Sequence, residues 1–165
     1  MRWYKPQNIK RQAMELLQLF TAIQLQRLLF SDYHDILTSI QQLRAHHRAK
    51  CIIGNLNITS LPNKFAVVKE WLSCNAFDIL SIQETKIDKT FPNSKFIVDG
   101  YRLFRRYRKK GGGGIAVFFN ENVITTCKKI ACKAVESLFL GLRIGQQQLG
   151  LICAYKPPSV ENKHI

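Results

Sequence analysis

Acidic side chains are scarce in this sequence of 165 residues. Eleven Asp and Glu face 25 Lys and Arg, which gives a formal net charge of +14 and a pI near 9.9. Residues 1–50 carry 8 basic and 3 acidic side chains, and residues 51–165 carry 17 and 8, so the excess is spread along the chain. Such an excess attracts polyanions, which means nucleic acid or an anionic membrane surface. The charge indicates a class of partner and says nothing about the fold.

A long apolar run is also missing. Charged and amide side chains interrupt the most apolar stretch, residues 12–30: Glu15, Gln18, Gln24, Gln26 and Arg27. A membrane span needs about 20 mostly apolar residues. No segment has the compact apolar run and small-residue cleavage site of a signal peptide. We therefore expect an intracellular protein without a membrane partner.

The cysteines provide no zinc-binding pattern. Their count is odd and no secretory signal accompanies them, which indicates reduced thiols: Cys51, Cys74, Cys127, Cys132 and Cys153. Cys127 and Cys132 lie close together, but no second Cys or His pair has zinc-finger spacing. A structural zinc site needs four ligands, so we do not expect one.

The first 50 residues differ in composition from the rest. They are rich in Gln and Leu, and from Met14 to Leu29 apolar residues recur at three- and four-residue steps, which predicts a helix. Ile36, Ile40 and Leu43 predict a second, shorter helix. We interpret residues 1–50 as a helical, basic N-terminal extension. A helix that binds DNA or a protein partner is the open alternative.

From Cys51 onward, strand and helix patterns alternate. Cys51–Ile58 and Asp78–Gln83 read as strands, and Lys64–Cys74 between them reads as a helix. Further strand-like runs follow: Ile115–Phe119, Leu138–Ile144 and Leu149–Tyr155. This order predicts an α/β domain with mixed sheets. We expect the first two strands to be parallel neighbours, joined by a right-handed crossover through the helix.

Two polar residues follow these parallel strands. Asn57 and Glu84 would lie at the same sheet edge, where α/β proteins form their sites. A hard cation such as Mg²⁺ needs only one or two protein carboxylates, because phosphate oxygens and water complete its shell. Asn57 could donate to a phosphate oxygen. On the residues alone, a solvated or capping Glu84 remains an alternative.

A basic segment precedes four glycines. Its cations are interleaved with aromatic residues at 101, 104 and 107, and could contact phosphates while the rings stack on bases: Arg105, Arg106, Arg108, Lys109 and Lys110. We expect an exposed loop, and a merely solvated connector is the alternative. No helix pattern follows Gly111–Gly114, so these glycines indicate a turn into the next strand rather than a phosphate-binding loop. Tyr155 ends the last strand and could present its hydroxyl to a phosphate, or simply begin a turn.

Together, these segments resemble a known family. Their order resembles that in the endonuclease domain of non-LTR retrotransposons. The segments are Asn57-Ile-Thr-Ser, Ser81-Ile-Gln-Glu84-Thr-Lys, Gly100-Tyr, the basic stretch with Gly111–Gly114, and Ala154-Tyr155-Lys-Pro-Pro-Ser. That domain is similar to apurinic endonucleases and DNase I, in the endonuclease/exonuclease/phosphatase superfamily. The resemblance covers about residues 51–160. It implies a partial DNase I-like sandwich of mixed β-sheets with outer helices.

The resemblance also implies roles for single residues. Asn57 matches the asparagine that helps to position the scissile phosphate, Glu84 the glutamate that binds the divalent metal, and Tyr155 the tyrosine that contacts the phosphate. It implies Mg²⁺ or Mn²⁺ as cofactor, DNA as partner and the nucleus as location. Thr59 stands where many relatives carry Asn, and Ser60 where repair enzymes carry Gly.

Relatives continue into motifs that this sequence does not contain. They carry a GDFN-like motif and a Ser-Asp-His motif, and His164 stands too early to match the catalytic histidine. We therefore expect residues 51–165 to be the N-terminal half of such a domain, inactive by itself and lacking much of the second sheet. Two alternatives stay open: a phosphatase of the same superfamily acting on small phosphate esters, and a DNA-binding remnant without catalysis.

Overall fold

Two β-sheets and two helices organise the described part of the chain. The computed structural model describes residues 20–25, 33–107, 112–129, 136–144 and 147–156. The strands are β1 (Phe20–Leu25), β2 (Cys51–Asn57), β3 (Ile79–Gln83), β4 (Tyr101–Arg106), β5 (Ile115–Asn120), β6 (Ile124–Lys129), β7 (Glu136–Ile144) and β8 (Gln147–Tyr155). The helices are α1 (Tyr33–His46) and α2 (Leu61–Ser73), and a short 3-10 helix covers Asn93–Phe96.

The larger sheet has the strand order β1-β2-β3-β5-β4, and the smaller one is the antiparallel meander β6-β7-β8. Strands β1, β2 and β3 are parallel, and β5 runs antiparallel between β3 and β4. The predicted parallel neighbours on either side of a helix are thereby confirmed as β2, α2 and β3. Helix α2 begins earlier than expected, at Leu61, because Pro62 suits the first helical turn, where its missing N–H has no partner to lose.

The prediction of one helix from Met14 to Leu29 is wrong for residues 20–25. These residues form β1 and pair with Cys51–Leu56. Thr21 and Ile23 are β-branched, which suits a strand, and the edge of β2 offers unpaired backbone groups that a helix could not satisfy. Residues 1–19 and 26–32 lie outside the described residues. The second predicted helix is confirmed as α1.

The larger sheet separates two hydrophobic cores, because alternate residues of β5 face opposite sides. Ala116 and Phe118 face the core shared with the helices, while Val117 and Phe119 face the second sheet. Every apolar side chain of β5 is therefore buried, which explains its uninterrupted apolar sequence. The second core is completed by β7 and β8 through Leu138, Leu140, Leu142 and Cys153.

An ion pair of Arg44 adds to the core packing of Ile40 in holding helix α1 on the larger sheet. The Arg44 guanidinium lies 2.7 Å from the Asp78 carboxylate and also donates to the carbonyls of Ala76 and Lys50, each at 3.2 Å. The same carboxylate oxygen of Asp78 accepts the Ile52 N–H at 2.6 Å. The ion pair thus joins α1, the start of β2 and the entry to β3.

Helices on one face of a mixed sheet, with a second sheet on the other face, confirm the α/β class and are compatible with part of a DNase I-like fold. Across the described residues, neither helix has the length and apolar character that crossing a membrane requires.

Candidate functional site

Three of the predicted site residues meet at one carboxylate oxygen. Glu84 follows β3, Asn57 ends β2, and Tyr155 ends β8 in the other sheet. The Asn57 amide Nδ2 donates to Glu84 Oε1 at 2.9 Å, and the Tyr155 hydroxyl donates to the same oxygen at 2.8 Å. The site therefore lies at the edge where the two sheets come together.

The backbone around Glu84 has an unusual conformation. Glu84 has φ 53°, and Thr59 and Lys86 have φ 63° and 52°. The left-handed region costs a non-glycine residue of order 1–3 kcal/mol, so it persists only where neighbouring contacts enforce it. Such a cluster of positive φ values beside one carboxylate is typical of functional sites.

Hydrogen bonds from both sides enforce this conformation. On one side, the carbonyls of Gln83 and Thr85 accept the N–H groups of Ile58 and Leu61, at 3.1 and 2.9 Å. On the other side, the N–H groups of Thr85 and Lys86 donate to the carbonyls of Gly114 and Gly113, at 3.2 and 2.9 Å. The segment that carries Glu84 is held between the end of β2 and the glycine turn.

Two glycines of this turn are packed too closely to carry a side chain. Gly113 and Gly114 have φ 65° and 91°. A Cβ on Gly113 would lie 2.5 Å from Glu136 Oε1, and one on Gly114 would lie 2.5 Å from Thr85 Oγ1. The expected turn into β5 is confirmed, and its role is to support the segment beside Glu84.

Glu136 links the glycine turn to the second sheet, and sequence reasoning missed it. Its side chain is buried, and its Oε2 accepts the Gly114 N–H at 2.6 Å. In the β7–β8 register Glu136 stands opposite Tyr155. Its position two residues before the strand-like run Leu138–Ile144 was the available signal, because a buried carboxylate needs specific donors. Glu136 thus joins the elements that position Glu84 and Tyr155.

A polar row lies beside the site, on the face of the larger sheet that is turned towards the smaller sheet. Asn55 and Asn57 share one face of β2, and Ser81 and Gln83 share the corresponding face of β3. The buried Gln83 amide donates to Asn55 Oδ1 and to Ser81 Oγ. Sequence reasoning identified the strand Asp78–Gln83 but not this polar row.

The side chains that meet at Glu84 suit a hard cation. In the described residues, no group of three or more His, Cys, Asp or Glu side chains is placed to share a metal ion. A closed zinc site is therefore absent from that part of the chain, since it takes four such ligands. A single Glu84 carboxylate with an amide and a phenol beside it suits Mg²⁺, which relies on water and phosphate oxygens for its other ligands.

The Cys51 thiol is no nucleophile at neutral pH. No disulfide involves Cys51, Cys74 or Cys153. Burial, and secondarily the Asp78 carboxylate, raise the pKa of Cys51 to about 12, so it stays protonated at neutral pH.

The expectation that Arg105 and Arg106 belong to an exposed loop is wrong. Both end β4, where each half-buried side chain donates to a backbone carbonyl: Arg105 to that of Phe91, and Arg106 to that of Ser137 at 2.8 Å. Pairing of β4 with β5 across Phe104↔Val117 extends the sheet to this segment. Arg108, Lys109 and Lys110 lie outside the described residues.

Two of the three aromatic residues in this segment belong to the fold. Tyr101 is buried and donates its hydroxyl to the Phe77 carbonyl, and burial raises its pKa to about 12. Phe104 stacks on Phe119 in the second core, with ring centroids 4.8 Å apart. Only Tyr107, which is 46% exposed, presents its ring to solvent.

No protein-family profile matches this sequence, and no curated protein matches it significantly. Among solved structures, the chain is similar to an AP endonuclease from Archaeoglobus fulgidus, with 24% sequence identity and a TM-score of 0.43. The similarity covers 59% of this chain and 38% of that one, so the chain spans well under half the length of this solved structure.

Proposed function

We propose that this chain carries the metal- and phosphate-binding part of a divalent-metal-dependent DNA endonuclease site, formed by Glu84, Asn57 and Tyr155. The observation that carries the proposal is their convergence. Residues from three separate motifs, on two different sheets, meet at one oxygen of Glu84. They are the residues to which the resemblance to retrotransposon endonucleases assigns metal and phosphate binding.

Each residue has a chemical role in this proposal. Glu84 holds Mg²⁺ or Mn²⁺, which when bound neutralises charge on the phosphate and on the leaving oxygen. The Asn57 amide and the Tyr155 hydroxyl are donors that can bind the non-bridging phosphate oxygens. Their hydrogen bonds to Glu84 orient the carboxylate before a ligand arrives.

DNA is the substrate that the charge favours. The net charge of +14 gives a polyanion far more binding free energy than it gives a small phosphate ester. Within the superfamily we assign the chain to the non-LTR retrotransposon branch, on the basic stretch before Gly111–Gly114 and the Tyr155-Lys-Pro-Pro-Ser sequence. A nuclear location follows from that assignment.

Metal binding to the full chain tests the proposal. Mn²⁺ titrated into the protein in a calorimeter should bind at one site, and Glu84→Gln should weaken binding by about tenfold or more, because it removes the carboxylate charge. Glu121→Gln is the matched control: this exposed residue follows β5 at the opposite end of the strand from the site. Equal Mn²⁺ affinity in the wild type and Glu84→Gln would contradict the proposed metal ligand.

A second measurement tests the substrate class. Anisotropy of a fluorescent DNA duplex should show tighter binding with Mn²⁺ than without it, and Glu84→Gln should abolish this difference. Inositol phosphates should compete poorly. Strong competition by them, with weak duplex binding, would instead favour a phosphatase acting on small esters.

A further inference from the structure

Tyr107 occupies a particular place relative to the candidate site. The register pairs Asn57 with Gln83, Gln83 with Ile115, and Ile115 with Arg106, which defines one row across four strands. Tyr107 is the next residue after this row along β4, just as Glu84 is the next residue after it along β3. Two strand spacings of about 4.8 Å separate them, so the Tyr107 backbone lies about 10 Å from that of Glu84 along the same edge.

The Tyr107 ring is exposed and supported by a cation. The Arg105 guanidinium lies 5.8 Å from the ring centroid, within cation–π range. Its Nη2 is fixed by the Phe91 carbonyl, while its buried Nη1 has no hydrogen-bond partner among the described residues. Lys95 lies 5.0 Å from the neighbouring Phe91 ring, which adds a second cation to this surface.

Tyr107 differs in this respect from the other exposed large apolar side chains of the described residues. Ile97 and Ile152 are 59% and 60% exposed, but neither is aromatic and neither follows the row at the site edge. A flat ring with a supporting cation, at the sheet edge that carries the proposed phosphate site, suits a nucleotide better than an apolar protein surface. Aromatic rings and arginines are the platforms on which proteins stack unpaired bases.

We propose that Tyr107, supported by Arg105, is a stacking subsite for an unpaired DNA base next to the phosphate bound at Glu84. The proposal rests on the proposed function for DNA as the ligand. It adds a preference for strands with an unstacked base near the bound phosphate. Arg105 acts here through the ring that it supports.

Two single strands of equal charge test this subsite in the full chain, without divalent metal. One is a short oligothymidylate and the other an abasic strand of the same length, both measured by anisotropy. The wild type should prefer the strand with bases. Tyr107→Ala should lower affinity for it by roughly 5- to 100-fold and leave the abasic strand unchanged. Tyr107→Phe should retain the preference, because the ring remains.

Ile97→Ala is the matched control, since it also shortens an exposed apolar side chain on the approach to β4. If Tyr107→Ala lowered the affinity for both strands equally, or lowered neither affinity, the proposed subsite would be wrong. Because this assay needs no metal, it separates the two proposals. If Glu84→Gln left Mn²⁺ binding unchanged, the metal site would be wrong, but a base preference that depends on Tyr107 would still support the stacking subsite. If instead only the base preference were absent, the subsite would be wrong and the metal site would be unaffected.

Discussion

Gly113 shows how single residues support the candidate site. Its φ of 65° is in the left-handed region, and an added Cβ would lie 2.5 Å from Glu136 Oε1. We expect Gly113→Ala to lower the free energy of unfolding by about 1–3 kcal/mol, through backbone strain and displacement of Glu136. Urea unfolding followed by circular dichroism measures this. Gly112→Ala is the control, because a Cβ there meets nothing within 4 Å. Equal unfolding midpoints for the two variants would contradict this account of the turn.

Two weakly acidic side chains, the half-buried Cys51 and the buried Tyr101, lower the stability of the fold at alkaline pH. Burial raises the pKa of Cys51 from 9.0, and that of Tyr101 from 10.0, to about 12. The folded state therefore keeps protons that the unfolded chain releases above about pH 9. Stability from these groups is fully present below that pH and is lost as pH rises towards 12.

Urea midpoints measured between about pH 8 and 11 should thus fall with pH, and less steeply in Tyr101→Phe than in the wild type. That variant also loses the hydrogen bond to the Phe77 carbonyl, which lowers stability equally at every pH. Parallel curves for the two proteins would show that Tyr101 does not contribute to the slope.

At the scale of elements, the Arg44–Asp78 ion pair adds to the apolar packing that attaches α1. Its side chains are only 23% and 24% exposed, so the pair is not a screened surface contact. We expect Arg44→Leu to destabilise the protein by about 1–3 kcal/mol, because Asp78 loses a charged partner and the carbonyls of Ala76 and Lys50 lose a donor.

A double-mutant cycle with Asp78→Asn isolates this interaction. If the pair couples α1 to the sheet, Asp78→Asn should cost less in the Arg44→Leu background than in the wild type. Additive changes in the free energy of unfolding would mean that the two side chains act independently. The Ile52 N–H, which also donates to Asp78, keeps an acceptor in the asparagine variant.

The strands show which elements could be predicted locally. β2, α2 and β3 carry strong periodic patterns over contiguous residues, and their parallel arrangement follows from the crossover rule. β4 was missed because Arg102, Arg105 and Arg106 make its sequence look like a basic loop. These residues form a strand because their backbone pairs with that of β5, which follows the glycine turn.

At the scale of the whole molecule, the candidate site needs both sheets. The larger sheet supplies Asn57 and Glu84, and the smaller one supplies Tyr155. Glu136 joins the sheets through the Gly114 N–H, directly opposite Tyr155. Packing of the second core therefore sets the distance between the Glu84 carboxylate and the Tyr155 hydroxyl.

We expect the 165-residue chain to leave supercoiled plasmid uncut with Mg²⁺ or Mn²⁺. The relatives that it resembles activate the attacking water with an Asp and a His in motifs that these residues do not include, and general-base help is worth about 10²–10⁴ in rate. Agarose gels that resolve nicked from supercoiled plasmid provide the measurement, and Glu84→Gln should be indistinguishable from the wild type. Nicking that Glu84→Gln abolishes would show that the described site suffices for catalysis.

The sequence by itself determined the α/β class, the parallel pair around α2 and the placement of Asn57 and Glu84 at one edge. These features depend on patterns within about 35 residues of chain. Over that length, the periodicity of apolar residues and a single crossover connection leave few alternative arrangements of the two strands. Tertiary structure alone decided that residues 20–25 form a strand, that Arg105 and Arg106 end one, and that Glu136 is buried behind the site. It also brought Tyr155 to Glu84, 71 residues away. Backbone pairing and sheet packing act between distant segments, so the pattern of neighbouring residues did not predict them.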